Sequence, residues 1–472
     1  MAAGFEPGEF AQEFQQFVTG MNRLVPPRSS PIRQLLVDHL GRDPDELPVL
    51  SEPLESAEHP NVQLALDELA APGGWRVVGL SLGLRQYGAF SLGALATDRM
   101  VDWGFPSPRP MPVEYLNVPI GPDDHLACAQ LALYLGTWQD TPLAVLVMAG
   151  DERSHFESRL TLEVLAPDQQ MARALLDELG RRRQALNVYR GQALSFAFTP
   201  HGRFRLDFLR MPAIERSQVI LPEADLLAIE DHTIGISTYA QALRASGRHI
   251  KRGLLLYGPP GTGKTWSVTY LRSRMTERTT VVINGGPGIH GLGQAVALAR
   301  SLQPAMVVVE DVDLIANERT MAGQDTNTVL FQLLNEMDGL GEDSDVIFVL
   351  TTNRVELLEP ALAMRPGRID QAVEIGLPDD DCRARLFELY LRELPELDVD
   401  IDLAPLVAAT EGVSAAFIRE LTRRAVLLAA TESGDPSAAP RVGSRHLTQA
   451  LSALDSATTP IRRTLLGAQR AS

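Results

Sequence analysis

The sequence has few cysteines, no long apolar run and fewer basic than acidic residues. Cys128 and Cys382 are the only cysteines among 472 residues, which gives no basis for a disulfide framework or a cysteine-based metal site. Apolar stretches such as residues 142–150 are far shorter than the ~20 residues that cross a bilayer. The 43 Lys and Arg against 60 Asp and Glu give a net charge of −17, which disfavours nucleic acid or an anionic membrane as the main partner.

The first residues also lack the features of a secretory signal. Glutamates come early, and neither a basic start nor an apolar core follows. Two isolated cysteines fit a reducing compartment, so we expect a cytoplasmic protein. The composition of 45% apolar and 22% charged residues is that of a folded globular protein, and the length predicts two to three domains.

Residues 1–74 are predicted to form helices and a linker. An apolar pattern that begins near Phe10 indicates an amphipathic helix, which fits either core packing or docking of a partner. A second helix is predicted over 32–40, and a Pro- and Glu-rich stretch follows to about residue 60.

Residues 75–215 are predicted to form an α+β domain. Strands are indicated from residue 75 and over 142–150, and helices over 124–135 and 168–186. We find no repeat, metal-ligand spacing or nucleophile motif there, and its role in recognising a partner or substrate is a hypothesis.

The most informative stretch is GLLLYGPPGTGKT at residues 253–265. Its apolar run predicts a buried strand, and the spacing G-x-x-x-x-G-K-T predicts a loop whose backbone N–H groups surround phosphates. Lys264 can reach the β- and γ-phosphates, and the Thr265 hydroxyl can ligate Mg²⁺. The upstream stretch 232–235 is where an adenine-contacting loop is expected. The predicted nucleotide-binding residues are Gly258, Pro259, Pro260, Gly261, Thr262, Gly263, Lys264 and Thr265.

Two further strand-like runs end in polar residues. Residues 305–309 lead into Glu310 and Asp311, of which the first can orient a Mg²⁺-bound water and the second can polarise the water that attacks phosphorus. The run 346–353 ends in Asn353, which can bond that water or the γ-phosphate. Taken singly, these residues also fit an exposed acidic strand end and an ordinary turn.

Two arginines, Arg365 and Arg368, follow on a loop around Pro366 and Gly367. Guanidinium groups on a rigid loop suit stabilisation of a transferring phosphate, usually across a subunit boundary. Ordinary surface ion pairing is the alternative.

The block from about 220 to 430 resembles the ATPase module of the AAA family. The matching segments are GPPGTGKT, VVVEDVD, LLNEMDGL, TTN, EPALAMRPGRID and EGVSAAFIREL, in family order. This resemblance implies a P-loop NTPase domain with a parallel α/β sheet over 216–378 and a small helical lid over 379–472. It also implies ATP and Mg²⁺ as cofactors and a ring, usually hexameric, in which Arg365 and Arg368 act on the neighbour's ATP.

Three departures from the family pattern stand out. The family usually has Asp-Glu where this chain has Glu310-Asp311. The reversed order, Glu-Asp, resembles that of Bcs1-type translocases. The stretch GGPGIHGLG after residue 284 is short and lacks the aromatic triplet that grips polypeptide in threading members, with 289–291 as the nearest substitute. One extra residue precedes Arg365.

Two functions follow as hypotheses. The first is an ATP-hydrolysing ring that remodels a protein client chosen by the N-terminal part. The second is a nucleotide-gated adaptor or scaffold that does not thread its substrate. Bulk acidity disfavours a third, an ATPase that acts on DNA or RNA.

Overall fold

The computed structural model divides the chain into two compact units, residues 1–188 and 189–472, named unit 1 and unit 2 below. Among the described residues, no helix is both long and apolar enough to cross a membrane. The structure describes residues 30–81, 91–97, 108–150, 160–198, 204–284, 291–313, 333, 335–341, 344–357, 369–392, 401–435 and 439–456.

Unit 1 is built on a six-stranded antiparallel sheet with the order β1-β8-β7-β6-β2-β3. Strands β4 and β5 form a separate hairpin. The strands are β1 Val49–Leu54, β2 Arg76–Ser81, β3 Arg109–Met111, β4 Tyr115–Pro119, β5 His125–Ala129, β6 Leu131–Trp138, β7 Thr141–Met148 and β8 Leu160–Leu165. The helices are α1 Pro31–Leu40, α2 His59–Ala70, α3 Leu92–Ala96 and α4 Gln169–Ala185.

Helices cover both faces of this sheet. Side chains of β6 alternate, so Tyr134 packs with α2 and α4 on one face, while Leu133 and Leu135 pack with α1 and α3 on the other. The α+β interpretation therefore holds for the described part of unit 1. Helix α1 starts where Ser30 accepts a hydrogen bond from the Arg33 amide and ends at Gly41 in the left-handed region.

One predicted element of unit 1 is wrong. The helix expected over 124–135 is replaced by β5 and β6. Its near-continuous apolar run is equally typical of a strand that is buried on both faces, and pairing with β7 and β2 decides the outcome. The helix expected near Phe10 lies outside the described residues.

Unit 2 is built on a seven-stranded sheet with the order β10-β9-β12-β13-β14-β11-β15. All its neighbouring pairs are parallel except β10 with β9. The strands are β9 Ala193–Phe198, β10 Phe204–Phe208, β11 Arg252–Tyr257, β12 Thr279–Asn284, β13 Ala305–Glu310, β14 Val346–Thr352 and β15 Gln371–Glu374. The helices are α5 Glu223–Glu230, α6 Ile236–Thr238, α7 Ala240–Ala245, α8 Lys264–Arg274, α9 Leu292–Ser301, α10 Asp380–Arg392, α11 Ala404–Ala409, α12 Ala415–Ser433 and α13 Ser444–Ser456.

The described residues of unit 2 form three apolar cores. One lies between the sheet and α9, and a second lies between the sheet, α5 and α8. Helices α10 to α13 share a third core of their own around Phe387, Phe417 and Leu421. The P-loop NTPase fold with a small C-terminal helical part is therefore as predicted.

The unit boundary differs from the predicted domain limits. A limit was expected after residue 215, but β9 and β10 pair with β12, so unit 2 begins at residue 189. The limit expected after residue 74 falls inside unit 1, because β1 pairs with β8 along its whole length. In both places strand pairing joins segments that are far apart in sequence.

Candidate functional site

The candidate site lies where three adjacent strands of unit 2 end. Strands β13, β14 and β11 are parallel neighbours, so their carboxyl ends lie at one edge of the sheet. After β11 comes the glycine-rich loop, β13 ends at Glu310, and Asn353 follows β14. The structure thus brings together residues that are about 100 positions apart along the chain.

The loop after β11 depends on glycine for two different reasons. Gly258 has φ of 144°, and a Cβ there would lie 2.2 Å from the carbonyl oxygen of Ile375. Gly263 has φ of 113°, and a Cβ there would meet nothing within 4 Å. The first glycine is required by close backbone packing, whereas the second faces open space at the start of α8. A helix start with open space in front of it fits a phosphate group.

Lys264 is the first residue of α8 and is only 6% exposed. Its ammonium donates hydrogen bonds to the carbonyl oxygens of Gly258, at 2.9 Å, and Pro259, at 2.8 Å. Burial lowers the pKa of Lys264, and the nearby carboxylates of Asp311 and Asp313 oppose that shift. The predicted phosphate-binding cation therefore lies inside the loop and close to the acidic residues.

Thr265 and Glu310, the two predicted Mg²⁺ ligands, are neighbours. The hydroxyl of Thr265 is hydrogen-bonded to the carboxylate of Glu310. Burial raises the pKa of Glu310, and the adjacent Asp311 raises it further. A hydroxyl and a carboxylate beside a phosphate loop fit Mg²⁺, which usually binds to one or two carboxylates together with substrate phosphates.

Asp311 and Asn353 are also in contact. The Asn353 side-chain amide donates to the Asp311 carboxylate at 3.1 Å, and the Asp311 amide donates to the Thr351 hydroxyl at 3.1 Å. Asp311 has φ of 47°, a left-handed conformation that is uncommon outside glycine. Strained backbone of this kind is frequent at functional sites, where surrounding contacts hold it in place.

Asp313 belongs to the same group, although it is not among the predicted site residues. It is 3% exposed, and its carboxylate accepts hydrogen bonds from the Thr352 hydroxyl at 2.9 Å and from the backbone N–H of Asn353 at 3.1 Å. Asp313 therefore joins the end of β14 to the segment after β13. The sequence feature that could have identified Asp313 is the presence of a third acidic residue two positions after Asp311.

A cavity of about 270 Å³ lies beside the loop. Residues 220–222 form one wall, and Thr262 joins it from the glycine-rich loop. Leu386 and Ala415 line it from the helical part, and Pro378 lines it from the segment just before α10. The stretch 232–235, expected to contact adenine, is not in this lining; it forms a π-helical turn after α5. The cavity wall comes from a segment that has no motif, so its role was not predictable from the residues.

The helical part also touches the loop directly. The Ala416 amide donates to the Gly261 carbonyl at 3.0 Å, and a Cβ on Gly261 would come within 2.9 Å of the Ala416 side chain. This contact brings the start of α12 against the phosphate loop. Both predicted arginines, Arg365 and Arg368, lie outside the described residues, as do Ile289 and His290.

Within the described residues, no group of three or more His, Cys, Asp or Glu side chains could hold a metal ion.

Residues 254–377 match the family model described as ATPase family associated with various cellular activities (AAA). The chain carries an AAA domain. The matched residues contain the glycine-rich loop at 258–265, the acidic pair Glu310 and Asp311, and Asn353.

Similar proteins share this part of the chain. An ATP-dependent zinc metalloprotease, FtsH 3 of Sphaerobacter thermophilus, is 33% identical over 247 residues, which is 50% of each chain. A proteasome-activating nucleotidase of Methanopyrus kandleri is 35% identical over 197 residues, 39% of this chain and 44% of its own. A cell division cycle protein 48 homolog of Archaeoglobus fulgidus is 33% identical over 204 residues, 41% of this chain and 27% of its own. The chain thus spans about half the length of these relatives, or less.

The two loop glycines give a test of the geometry. We expect Gly258→Ala to unfold unit 2 or lower its stability severely, because the new Cβ overlaps the Ile375 carbonyl, which β15 holds in place. We expect Gly263→Ala to cost only about 1–2 kcal/mol, the penalty of a left-handed alanine without a clash. Thermal unfolding of both variants measures the difference. Equal losses of stability in the two variants would contradict the conclusion that Gly258 is closely packed and Gly263 is not.

Proposed function

We propose that this chain binds ATP with Mg²⁺ and hydrolyses it to ADP and phosphate. One observation carries the proposal: the ends of β11, β13 and β14 gather a buried lysine, a Thr265–Glu310 pair and an Asp311–Asn353 pair at one edge of the sheet. Cation, metal-ligating groups and base are the parts that phosphoryl transfer to water requires.

Each residue has a distinct role in this proposal. Lys264 exchanges its bonds to the loop carbonyls for the β- and γ-phosphate oxygens, and backbone N–H groups around Gly263 contact the same phosphates. Thr265 and Glu310 would hold Mg²⁺, which supplies charge neutralisation on the phosphates when bound. Among the described residues, Glu310 is the carboxylate that is bonded to the Thr265 hydroxyl at the start of α8.

Asp311 is proposed to accept a proton from the water that attacks the γ-phosphorus. Its bond to Asn353 fixes the direction of the carboxylate, and the bond from its own amide to Thr351 fixes the backbone. A positioned base is effective because the attacking water is already oriented when the phosphorus–oxygen bond to ADP breaks. The adenine is proposed to occupy the cavity lined by residues 220–222 and Ala415.

The assignment of the two acids is testable. We expect Asp311→Asn to bind ATP but to hydrolyse it at least about a hundredfold more slowly, the range for loss of a general base. Phosphate release and equilibrium ATP binding measure the two effects separately. Glu310→Gln is the matched variant, and it should weaken the Mg²⁺ dependence of binding. If Glu310→Gln binds ATP without hydrolysis while Asp311→Asn stays active, the two roles are reversed.

We further propose that the protein works as a ring, with a hexamer favoured, and that Arg365 and Arg368 act on a neighbour's ATP. The support is the family of the AAA domain and the position of both arginines in the EPALAMRPGRID segment. Unit 1 is proposed to select a protein client. Relatives whose names refer to proteasome activation and proteolysis favour a protein over a nucleic acid as that client.

Mixing two inactive variants tests action between subunits. Lys264→Ala removes phosphate binding, and Arg365→Ala with Arg368→Ala removes the arginines. Each alone should be inactive. We expect a mixture to recover part of the ATPase activity, because one variant supplies the phosphate loop and the other supplies the arginines. Native mass spectrometry of Asp311→Asn with ATP gives the subunit number, and a monomer with no recovery on mixing would exclude the ring.

A nucleotide-gated adaptor is the second candidate function. The observation that favours it is the stretch GGPGIHGLG, which has no aromatic residue to grip a polypeptide. For an adaptor, we expect ATP-dependent binding of a partner but no unfolding of a folded reporter fused to that partner. Loss of reporter fluorescence that requires ATP and is abolished by Asp311→Asn would exclude the adaptor and support remodelling.

A further inference from the structure

One wall of the cavity is the end of an irregular segment, residues 214–222, called the strap below. Its residues alternate between two apolar cores. Val219 and Leu221 are buried in the core between the sheet and α8, whereas Ile220 packs against the core of the helical part. The strap therefore lies at the seam between the sheet and the helices that line the same cavity, and its placement decides the width of that cavity.

Two side chains of α8 bond to the strap directly, and a third reaches it through Glu230 of α5. The Trp266 indole N–H donates to the Gln218 carbonyl at 3.0 Å. The Ser273 hydroxyl shares its one proton between the Ile214 carbonyl at 3.0 Å and the Tyr270 carbonyl of its own helix at 2.8 Å. Between them, the Tyr270 hydroxyl bonds to the Glu230 carboxylate. Burial raises the pKa of Tyr270 to about 12, so the phenol stays a donor at neutral pH.

The middle contact reaches the strap through Arg216. Its guanidinium donates to Glu230 at 2.9 Å and to Glu223 at 2.7 Å, so Glu230 receives bonds from both Tyr270 and the strap. Because Arg216 and Glu223 are largely exposed, the ion pairs themselves add little stability. Their geometric effect is to fix the strap at a third point.

The spacing of Trp266, Tyr270 and Ser273 places their side chains on the same face of α8, beside the strap. Positions 266, 270 and 273 follow the i, i+4, i+7 pattern that places side chains on one face of a helix. Trp266 and Ser273 are separated by about 10 Å along the helix axis. The strap runs in the opposite direction, and its five residues from Ile214 to Gln218 span at most about 14 Å over four steps, less with the 3₁₀ turn at Arg216–Gln218.

Packing alone does not account for Trp266. Its side chain is 40% exposed, among the large apolar residues that stay accessible to water. Tyr270, by contrast, is 1% exposed and belongs to the core. The indole N–H of Trp266 bonds to the strap, and this residue directly follows Thr265, a proposed Mg²⁺ ligand.

We propose that Trp266, supported by Tyr270 and Ser273, is a positioning residue that couples the phosphate-binding helix to the wall of the nucleoside cavity. This inference rests on the proposed ATP site. Helix α8 begins at the phosphate loop, so a phosphate bound there and a base in the cavity are held by one rigid element and its strap. Without the Trp266 bond, the phosphates still bind but the wall for the base is loose.

The test compares a nucleotide with a ligand that has no base. In Trp266→Phe, which keeps a smaller aromatic ring but loses the N–H, we expect the Kd for ADP to rise about three- to tenfold, the usual effect of one lost hydrogen bond. The Kd for inorganic tripolyphosphate should not change, nor should the unfolding temperature. Tyr270→Phe should act in the same direction. Trp138→Phe makes the same chemical change in unit 1 and is the matched control.

Each outcome decides between distinct explanations. An unchanged ADP affinity in Trp266→Phe overturns the inference, and so does an equal loss for ADP and tripolyphosphate, which indicates damage to the phosphate loop or the fold. If the unaltered protein binds neither ligand, the proposed ATP site fails first. A selective loss for ADP with unchanged thermal stability supports the positioning role.

Discussion

The parallel pairing of β13, β14 and β11 is the constraint on which the site depends. Parallel strands end at the same edge, so the residues that follow them meet without any contact between the intervening loops. Each strand is almost wholly buried, and the apolar cores on both faces hold its register. A shift of β13 by one residue would turn Glu310 away from Thr265 and leave a carboxylate without its hydroxyl partner.

The burial of Lys264 and Asp313 at this edge is tolerated because the two side chains carry opposite charges and each is hydrogen-bonded. Lys264 is 6% exposed and Asp313 is 3% exposed, values that are costly for isolated ions. Here the ammonium bonds two carbonyls, and Asp313 accepts from a hydroxyl and an amide. The groups are therefore held in place before any ligand binds, which is the condition for electrostatic stabilisation of a developing charge.

Local chemistry explains which parts of this protein were predictable. The glycine-rich loop, the acidic strand end and Asn353 are recognisable because each needs a particular residue type at fixed spacing. The strands at 124–135, the membership of β9 in the second sheet and the strap depend on pairing across the chain. Trp266 has no motif at all, since its role comes from a backbone carbonyl of Gln218, and a carbonyl carries no sequence signal.

The order Glu310-Asp311 can be explained by the backbone. Glu310 is the last residue of β13, where its longer side chain meets the Thr265 hydroxyl. The next residue must take φ of 47°, a region in which aspartate is several-fold enriched and glutamate is not. In that conformation the shorter Asp311 carboxylate is already within 3.1 Å of Asn353. The reversed pair therefore needs no extra reach at its second position, and the order that departs from the usual family pattern is the one that this turn accommodates at the lower strain.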